Sequence, residues 1–91
     1  EELPEGKPAI IYGSYLDRED KPDKKYIYLS GAKGIYKLRI YLDKWNQYKD
    51  LFKRGRSLIL KGAYRYGAFT VWECTDYYEW LQQIIDNYET V

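Results

Sequence analysis

The sequence predicts an all-β fold: a five-stranded Greek-key barrel with a helix between strands 3 and 4 and a C-terminal helix. Five short segments rich in β-branched and aromatic residues are bounded by glycine, proline or charged residues, as strands are. Two other segments have apolar residues at three- and four-residue spacing, and they follow the third and the fifth of these strands. A chain of 91 residues makes one domain, and nearly all of it must contribute to the core.

Strand 1 is predicted over residues 8–16, after a polar lead-in at 1–7. Gly13 inside this strand predicts a bulge or a sharp bend, which is common where a strand curls around a barrel. A loop of mixed charge is predicted at 17–25, and a short strand 2 at 26–30.

Strand 3, predicted over 35–42 after a glycine turn, has the clearest alternation in the chain. The side chains expected to face inward are Tyr36, Leu38, Ile40 and Leu42. Those expected to face outward are Lys37, Arg39 and Tyr41. The same alternation turns Ile27 and Leu29 of strand 2 inward and leaves Tyr26 and Tyr28 outward.

Asp43 is the predicted N-cap of the first helix, which Gly55 ends. Its apolar residues at helical spacing are Trp45, Tyr48, Leu51 and Phe52. Strands 4 and 5 are predicted at 57–66 and 68–75, joined by a tight hairpin at Gly67.

Asp76 and Glu79 have the spacing of a capping box, which predicts a second amphipathic helix over 77–88. The domain is therefore divided into the barrel at 8–76 and a C-terminal segment at 77–91. One face of the second helix is apolar, with Trp80, Leu81, Ile84, Ile85 and Tyr88. This stripe either caps the barrel or docks on a parent polypeptide or a second copy of the chain.

Three strands, a helix and a two-stranded hairpin occur in this order in OB barrels. An SH3-like barrel lacks the helix at that place. A ferredoxin-like fold needs a helix after strand 1, where Pro22 and the charged loop oppose one.

Composition excludes several classes of function. The 15 Lys and Arg residues balance 14 Asp and Glu residues, so no strongly basic arm of the kind that coats duplex DNA is present. With one cysteine and no histidine, the chain cannot form an internal disulfide, a zinc or haem site, or a histidine-activated serine. The single cysteine favours a reducing, cytoplasmic location. Asp17, Asp20 and Asp23 lack the glycine and terminal glutamate of an EF-hand loop. We therefore expect no catalytic site, metal or cofactor in this chain.

No apolar run is long enough to span a membrane, and the acidic N-terminus has no signal-peptide pattern. The sequence begins without Met, which we interpret as a piece of a longer protein. A membrane partner is not expected.

The chain has 12 tyrosines, three tryptophans and two phenylalanines, more rings than a core of this size holds. Several must lie at the surface, where large aromatic residues often mark a contact surface. A single tyrosine is equally explained as a residue that lines a strand face.

Single-stranded nucleic acid is bound by rings that stack on bases and cations that follow the phosphates. OB barrels present such groups on strands 2 and 3 and on the flanking loops. The candidates on the strands are Tyr26, Tyr28, Lys37, Arg39 and Tyr41. Lys24 and Lys25 form either a phosphate clamp or part of a merely solvated loop. The hairpin residues Tyr64, Arg65 and Tyr66 form either a wedge against a base or a contact with a neighbouring domain. Lys53, Arg54 and Arg56 are better explained as cations that offset a helix dipole.

A pattern of residue types also runs through the predicted strands. Its segments are Ile-Ile-Tyr-Gly13, Tyr-Ile-Tyr-Leu29, Gly34-Ile-Tyr-Lys-Leu-Arg-Ile-Tyr41, Lys44-Trp-Asn-Gln-Tyr-Lys-Asp-Leu51, Arg54-Gly-Arg56 and Leu58-Ile-Leu-Lys-Gly62. This pattern resembles the OB-fold nucleic-acid-binding domain, of the tRNA-anticodon type, in the alpha subunit of bacterial DNA polymerase III. The resemblance covers about residues 9–76, and Gly31 departs from it because the family usually has an acidic residue there.

The resemblance implies a module that holds the single-stranded template, with the catalytic carboxylates in another part of a parent replication protein. The remaining domains of that parent are then the expected protein partners, and single-stranded DNA the expected ligand, although RNA remains open. Two alternatives stay open as well: a protein-interaction module that uses the exposed tyrosines and the terminal helix, and a stand-alone single-strand-binding protein.

Overall fold

The computed structural model describes residues 6–89. The strands are β1 (Pro8–Asp20), β2 (Lys24–Gly31), β3 (Gly34–Tyr41), β4 (Ser57–Arg65) and β5 (Ala68–Asp76). The helices are α1 (Leu42–Tyr48), which a 3₁₀ turn at Lys49–Leu51 follows, and α2 (Tyr77–Glu89). The strands close a barrel in the order β1-β2-β3-β5-β4, with β3 and β5 parallel and the other pairs antiparallel. This is the Greek-key OB connectivity, so the predicted fold class is confirmed.

Strand β1 is longer than the sequence predicted, because its charged end pairs with β2. Its first half pairs with β4 and its second half with β2, and Ser14 pairs with both. The predicted loop at 17–25 was wrong at both ends: β1 continues to Asp20, and β2 already begins at Lys24. The bulge lies between Tyr15 and Asp17 rather than at Gly13, which is buried close to the backbone of Ser30.

The core fills the barrel with the inward side chains that alternation predicts. Its fully buried members with less than 2% exposure are Ile27, Leu29, Leu38, Ile40, Leu58, Leu60 and Val71. Trp45 of α1 stacks on Phe52 at 5.3 Å between ring centroids, and Phe52 contacts Tyr15 at 5.8 Å, so α1 and the segment after it cover one end of the barrel. Such burial is the main favourable contribution to the stability of a domain this small.

Two predicted helix boundaries were wrong. The N-cap of α1 is Tyr41, whose side chain makes no capping hydrogen bond, and Asp43 lies in the first turn, where a carboxylate still favours the positive end of the helix. Leu42 therefore begins α1 instead of ending β3. The helical segment ends at Leu51, four residues before Gly55.

The β4–β5 hairpin turns through Tyr66 and Gly67, which both have positive φ angles (52° and 82°), while Arg65 pairs with Ala68. Two consecutive residues of positive φ make a type I′ turn, which matches the twist of a hairpin. The expected tight hairpin is confirmed, with Tyr66 in the turn and Arg65 as the last residue of β4.

Helix α2 packs on the β4 and β5 side of the barrel. Oδ1 of Asp76 accepts hydrogen bonds from the N–H groups of Tyr78 (2.9 Å) and Glu79 (3.2 Å), so Asp76 caps the helix as predicted. The ring of Tyr77 lies 4.9 Å from that of Tyr12 on β1. The apolar stripe is only partly used: Trp80, Leu81 and Ile84 are half-buried, whereas Ile85 and Tyr88 are exposed. Neither helix of residues 6–89 has the length and apolar character needed to cross a bilayer.

Candidate nucleic-acid interface

The outer surface of β2 and β3 combines rings and cations in a regular arrangement. Across the two strands Lys24 pairs with Tyr41, Tyr26 with Arg39, and Tyr28 with Lys37. Each pair joins one ring to one cation; the ring is on β3 in the first pair and on β2 in the other two. We call these six residues the β2–β3 face. Their inward neighbours Ile27, Leu29, Leu38 and Ile40 are buried, as the alternation predicted.

Lys37 lies over the tyrosines of this face. Its Nζ is 4.6 Å from the ring centroid of Tyr26 and 5.9 Å from that of Tyr28, so the ammonium makes cation–π contacts with both rings. Its side chain is 53% exposed, and the nearest carboxylate oxygen, of Glu19, is 4.0 Å away. Lys37 is therefore an accessible cation that covers a ring.

Glu19 brings a negative charge to the edge of the β2–β3 face. On β1 it pairs with Tyr26, and its Oε1 accepts a hydrogen bond from the hydroxyl of Tyr28 at 3.1 Å. Its Oε2 is 3.0 Å from Nζ of Lys21. The bond to Lys21, and then the bond to Tyr28, lower the pKa of the Glu19 carboxyl, so it stays ionised at neutral pH. The sequence did not indicate this carboxylate, because residues 17–20 were predicted as loop.

Arg39 was expected to be an exposed cation, and this expectation was wrong. It does lie on the outer side of β3, yet it is only 7% exposed because β5 and the hairpin cover it. Its Nε and Nη2 donate to Oγ1 of Thr70 at 3.2 and 3.0 Å, and Nη2 also donates to the carbonyl of Arg65. The guanidinium lies 5.7 Å from the ring centroid of Tyr41. Arg39 therefore joins β3 to the hairpin and is not an open phosphate contact.

Lys24 and Tyr41 form the end of the β2–β3 face next to α1. Tyr41 is exposed, whereas the side chain of Lys24 is 25% exposed and its Nζ is 3.3 Å from Oδ1 of Asp23. Both belong to the group that the sequence predicted.

Lys25 does not belong to that group, because it alternates with Lys24 and Tyr26 and lies on the other side of β2. It pairs with Ile40, and its Nζ is 3.0 Å from Oδ1 of Asp20. The ammonium also lies 5.7 Å from the ring centroid of Trp45, which Arg18 approaches from 5.2 Å. Lys25 and Arg18 thus surround Trp45 at the end of the barrel. Of the two lysines for which the sequence left a phosphate clamp open, only Lys24 lies on the β2–β3 face.

The hairpin residues have different surroundings. Tyr66 at the tip is 81% exposed, and the bond from Arg39 to the Arg65 carbonyl holds the tip beside β3. The guanidinium of Arg65 instead lies 5.8 Å from the ring of Trp72, which lines a groove on the outer side of β1, β4 and β5. Tyr64 is half-buried on β4, which is not a neighbour of β2 or β3 in the barrel.

The remaining reactive groups have structural surroundings. Cys74 is buried, and desolvation, with a smaller effect of Asp76, raises the pKa of its thiol to about 12. A thiol with so high a pKa is not a nucleophile at neutral pH. Among residues 6–88, no cluster of three or more Cys, Asp or Glu side chains has the geometry of a metal site.

Helix α2 leaves the β2–β3 face uncovered, because it packs on β4, β5 and Tyr12. The structure therefore brings together Lys24, Tyr26, Tyr28, Lys37 and Tyr41 as accessible or half-buried groups. The predicted Tyr66 lies at the margin, and Glu19 is added at the opposite edge. Arg39 and Lys25 are removed from the set of open cations.

Comparison with known proteins supports the fold. No protein-family model matches the sequence, and the search of curated proteins gave no match. The structure is similar to two OBodies bound to hen egg-white lysozyme. AM1L10 has a TM-score of 0.63 and 16% identity, covering 79% of this chain and 80% of that one. AM3L09 has a TM-score of 0.61 and 16% identity, covering 80% and 83%.

A third similar structure is the ZRD-deleted mutant of TiaS in complex with agmatine. Its TM-score is 0.57 at 12% identity, and the match covers 76% of this chain but only 21% of TiaS. At these identities the likeness establishes an OB-like barrel and nothing about the ligand.

Proposed function

We propose that this domain binds single-stranded nucleic acid, DNA by expectation, on the β2–β3 face. The observation that carries the proposal is that Lys24 and Lys37 each pair across the strands with a tyrosine, and that Tyr26 lies between these two pairs. Bases stack on aromatic rings and phosphates are attracted to cations, so a flexible strand can satisfy both along such a surface. The net charge of +1 means that local placement, and not overall charge, provides the attraction.

Lys37 has a specific role in this proposal. Its ammonium covers the ring of Tyr26 in the free protein. A base that stacks on Tyr26 displaces the ammonium, and the flexible lysine side chain then reaches the adjacent phosphate. The cation–π contact of about 0.5–1 kcal/mol at an exposed site is weak enough to be exchanged for a base contact of about 1–3 kcal/mol.

The conformation and exposure of Tyr66 are evidence for a ligand contact beside the hairpin. A tyrosine with a φ of 52° occupies a conformation that Asn or Gly adopts more easily. Its side chain is largely exposed, so the ring is accessible to a ligand. We propose that the ring contacts a base at the margin of the β2–β3 face.

A larger replication protein remains part of the proposal. The pattern of residue types in the strands suggests the template-holding OB domain of a polymerase III alpha subunit. In such a parent this domain supplies binding, and the other domains supply catalysis. Linkage to those domains raises the effective concentration of the template, so the isolated domain needs only modest affinity.

We expect Lys37→Gln to weaken the binding of a fluorescent oligothymidine several-fold at low salt. The loss of one phosphate contact makes the slope of log K against log salt shallower by about 0.7 for a single strand. Fluorescence anisotropy at four salt concentrations measures both quantities.

Lys61→Gln is the matched control. The side chain of Lys61 is 50% exposed against 53% for Lys37, and each ammonium lies 4.0 Å from a glutamate oxygen. Lys61 is on β4, across the barrel from the β2–β3 face. Equal effects of the two substitutions would mean that only the net charge matters, and the proposed interface would be wrong.

We expect Glu19→Gln to tighten oligothymidine binding by about two- to fivefold, the scale of exposed ion pairs. The amide keeps an acceptor for the Tyr28 hydroxyl, whereas the charge that attracts Lys21 and Lys37 and repels phosphate is lost. Because the pKa of Glu19 is lowered, the wild-type protein gains this affinity only when acid protonates the carboxylate. Glu73→Gln, beside Lys61, is the control and should change the affinity less. If Glu19→Gln weakens binding, the carboxylate is part of the recognition and the proposed electrostatics are wrong.

Protein binding is the second candidate function. Ile10 and Tyr12 of β1 are exposed apolar residues, and Trp72 lines a groove with Ile10 on the side away from the β2–β3 face. The two OBodies are OB-like structures bound to a protein, lysozyme. If oligothymidine does not bind at low salt and a partner is captured only when Ile10 and Trp72 are intact, this candidate replaces the first.

A further inference from the structure

A basic loop between α1 and β4 lies outside the β2–β3 face. Lys53, Arg54 and Arg56 fall within four residues, and the first two are exposed. The sequence favoured a role in offsetting a helix dipole, but the 3₁₀ turn already ends at Leu51. Dipole interactions are largely confined to the last turn of a helix. The dipole therefore does not account for Lys53 and Arg54.

Backbone hydrogen bonds hold this loop in a defined shape. The N–H of Arg56 donates to the carbonyl of Lys53 at 2.9 Å, and Gly55 between them has a φ of +83°. The N–H of Gly55 donates to the carbonyl of Tyr15 at 2.8 Å, and the N–H of Tyr15 donates to the carbonyl of Arg56 at 2.9 Å. Because Tyr15 belongs to the buried core, the loop is anchored to the wall of the barrel.

The charges of the loop are only partly compensated. Nε of Arg56 lies 3.6 Å from Oδ2 of Asp76, whose other oxygen caps α2. Arg56 also donates from Nη1 to the carbonyl of Asp50 at 3.5 Å. Within residues 6–88, neither Lys53 nor Arg54 forms an ion pair closer than 4.0 Å. Two cations on a fixed backbone thus remain for an external anion.

These cations border an open pocket of about 410 Å³ at the base of α2. Ser57, Tyr78 and Asp76 also line it; the side chain of Tyr78 is exposed, and the Asp76 carboxylate faces Arg56. The ring of Tyr78 meets that of Tyr77 edge-on, at 5.4 Å and 76°. Cations and a hydroxyl suit phosphate oxygens, and an exposed ring suits a base.

We propose that this pocket, the basic-loop pocket, binds the phosphate of a nucleotide, with the base against Tyr78. Lys53 and Arg54 contact the phosphate oxygens, while Arg56 stays with Asp76 and fixes the junction of the loop with α2. The site shares no residue with the β2–β3 face, so this proposal can be tested separately from the function proposed above.

The test is a titration of the ¹⁵N-labelled chain with thymidine 5′-monophosphate, inorganic phosphate and thymidine, each followed by amide chemical shifts. We expect the nucleotide to shift Arg54, Gly55 and Ser57 most, inorganic phosphate to shift the same amides with lower affinity, and thymidine to leave them unchanged. Equal affinities for phosphate and nucleotide would overturn the nucleotide assignment. An absence of shifts in this loop would overturn the site.

The double variant Lys53→Gln/Arg54→Gln is expected to lose at least about tenfold in affinity for the mononucleotide, the scale of one or more charge-assisted contacts. The control Lys7→Gln/Lys61→Gln also removes two exposed cations and should retain the wild-type affinity. A Tyr78→Ala variant should reduce the nucleotide affinity to that of inorganic phosphate. A control that loses as much as the test variant contradicts the proposal.

Oligothymidine distinguishes a polynucleotide backbone from a free nucleotide as the source of the phosphate. If the strand reaches the basic-loop pocket, the double variant makes its salt slope shallower by about 1.4, as two lost contacts require. If the slope is unchanged while mononucleotide affinity falls, the pocket takes free nucleotides. Lys37→Gln should leave mononucleotide binding intact in both cases, which separates this site from the β2–β3 face.

Discussion

Arg39→Met is expected to lower the free energy of unfolding by about 2–3 kcal/mol, because a lost charge-assisted hydrogen bond costs about 1.5–3 kcal/mol. For a domain of this size the melting temperature should fall by roughly 10–20 °C. The substitution removes the donors to Thr70 and leaves the carbonyl of Arg65 without its partner. Thermal unfolding followed by circular dichroism measures the change.

The position of Arg39 explains why so large an effect is expected. The register of β3 and β5 joins only Leu38 to Phe69 and Arg39 to Thr70, so the seam that closes the barrel is short. The guanidinium adds side-chain hydrogen bonds at this seam and extends them to the hairpin. Within the described residues no carboxylate forms an ion pair with it, so hydroxyl, carbonyl and ring contacts alone offset its desolvation.

Arg39→Lys and Thr70→Val complete this test. Lysine keeps the charge but cannot reach both acceptors with a planar fork, so it should restore only part of the stability. Thr70→Val removes one acceptor and should destabilise less than Arg39→Met. If Arg39→Met has the melting temperature of the wild type, the guanidinium does not stabilise the seam. Arg39 is then again a candidate contact for phosphate.

This result also decides how binding data are interpreted. An Arg39 variant that fails to bind an oligonucleotide has lost the position of the hairpin, and with it the position of Tyr66. Loss of binding in such a variant is therefore not evidence of a phosphate contact. Lys37, which is exposed and forms no part of the seam, is the residue whose substitution tests the surface itself.

Alternation in the sequence predicted the core well, because a side chain in a strand has only two directions. Ile27, Leu29, Leu38 and Ile40 were assigned to the core by parity alone, and all four are buried. The same rule placed Arg39 on the outside of β3, which is correct. Alternation gives the side of the sheet on which a residue lies, but not whether another strand covers that residue. In this barrel the parallel pairing with β5 covers Arg39.

The pairing of β1 with β2 explains the other differences. Residues 17–20 have low β-propensity, yet they are strand because β2 provides their hydrogen-bonding partners. Glu19 therefore reaches the tyrosines of β2, and Lys25 is turned towards Trp45. Both contacts follow from the strand pairing, which the charged composition of residues 17–25 did not indicate. The candidate site was thus predicted in its rings and in Lys24 and Lys37, but not in its electrostatic surroundings.

Tyr26→Leu/Tyr28→Leu is expected to weaken oligothymidine binding by at least about 30-fold, because each stacked base contributes about 1–3 kcal/mol. Leucine keeps apolar volume beside the barrel wall, so the fold should survive. The salt slope should stay at its wild-type value, since no phosphate contact is removed. Fluorescence anisotropy over a salt series measures the affinity and the slope together.

The contrast with Lys37→Gln makes this prediction specific to stacking. Loss of a ring lowers the affinity equally at every salt concentration, whereas loss of a cation lowers it most at low salt. The control Tyr12→Leu/Tyr88→Leu removes two exposed rings that lie outside the β2–β3 face, Tyr12 beside Tyr77 and Tyr88 near the end of α2. If this control weakens binding as much as the test variant, exposed tyrosines bind the oligonucleotide non-specifically, wherever they lie on the surface. If the test variant binds like the wild type, the rings of β2 do not touch bases, and the ligand lies elsewhere on the barrel.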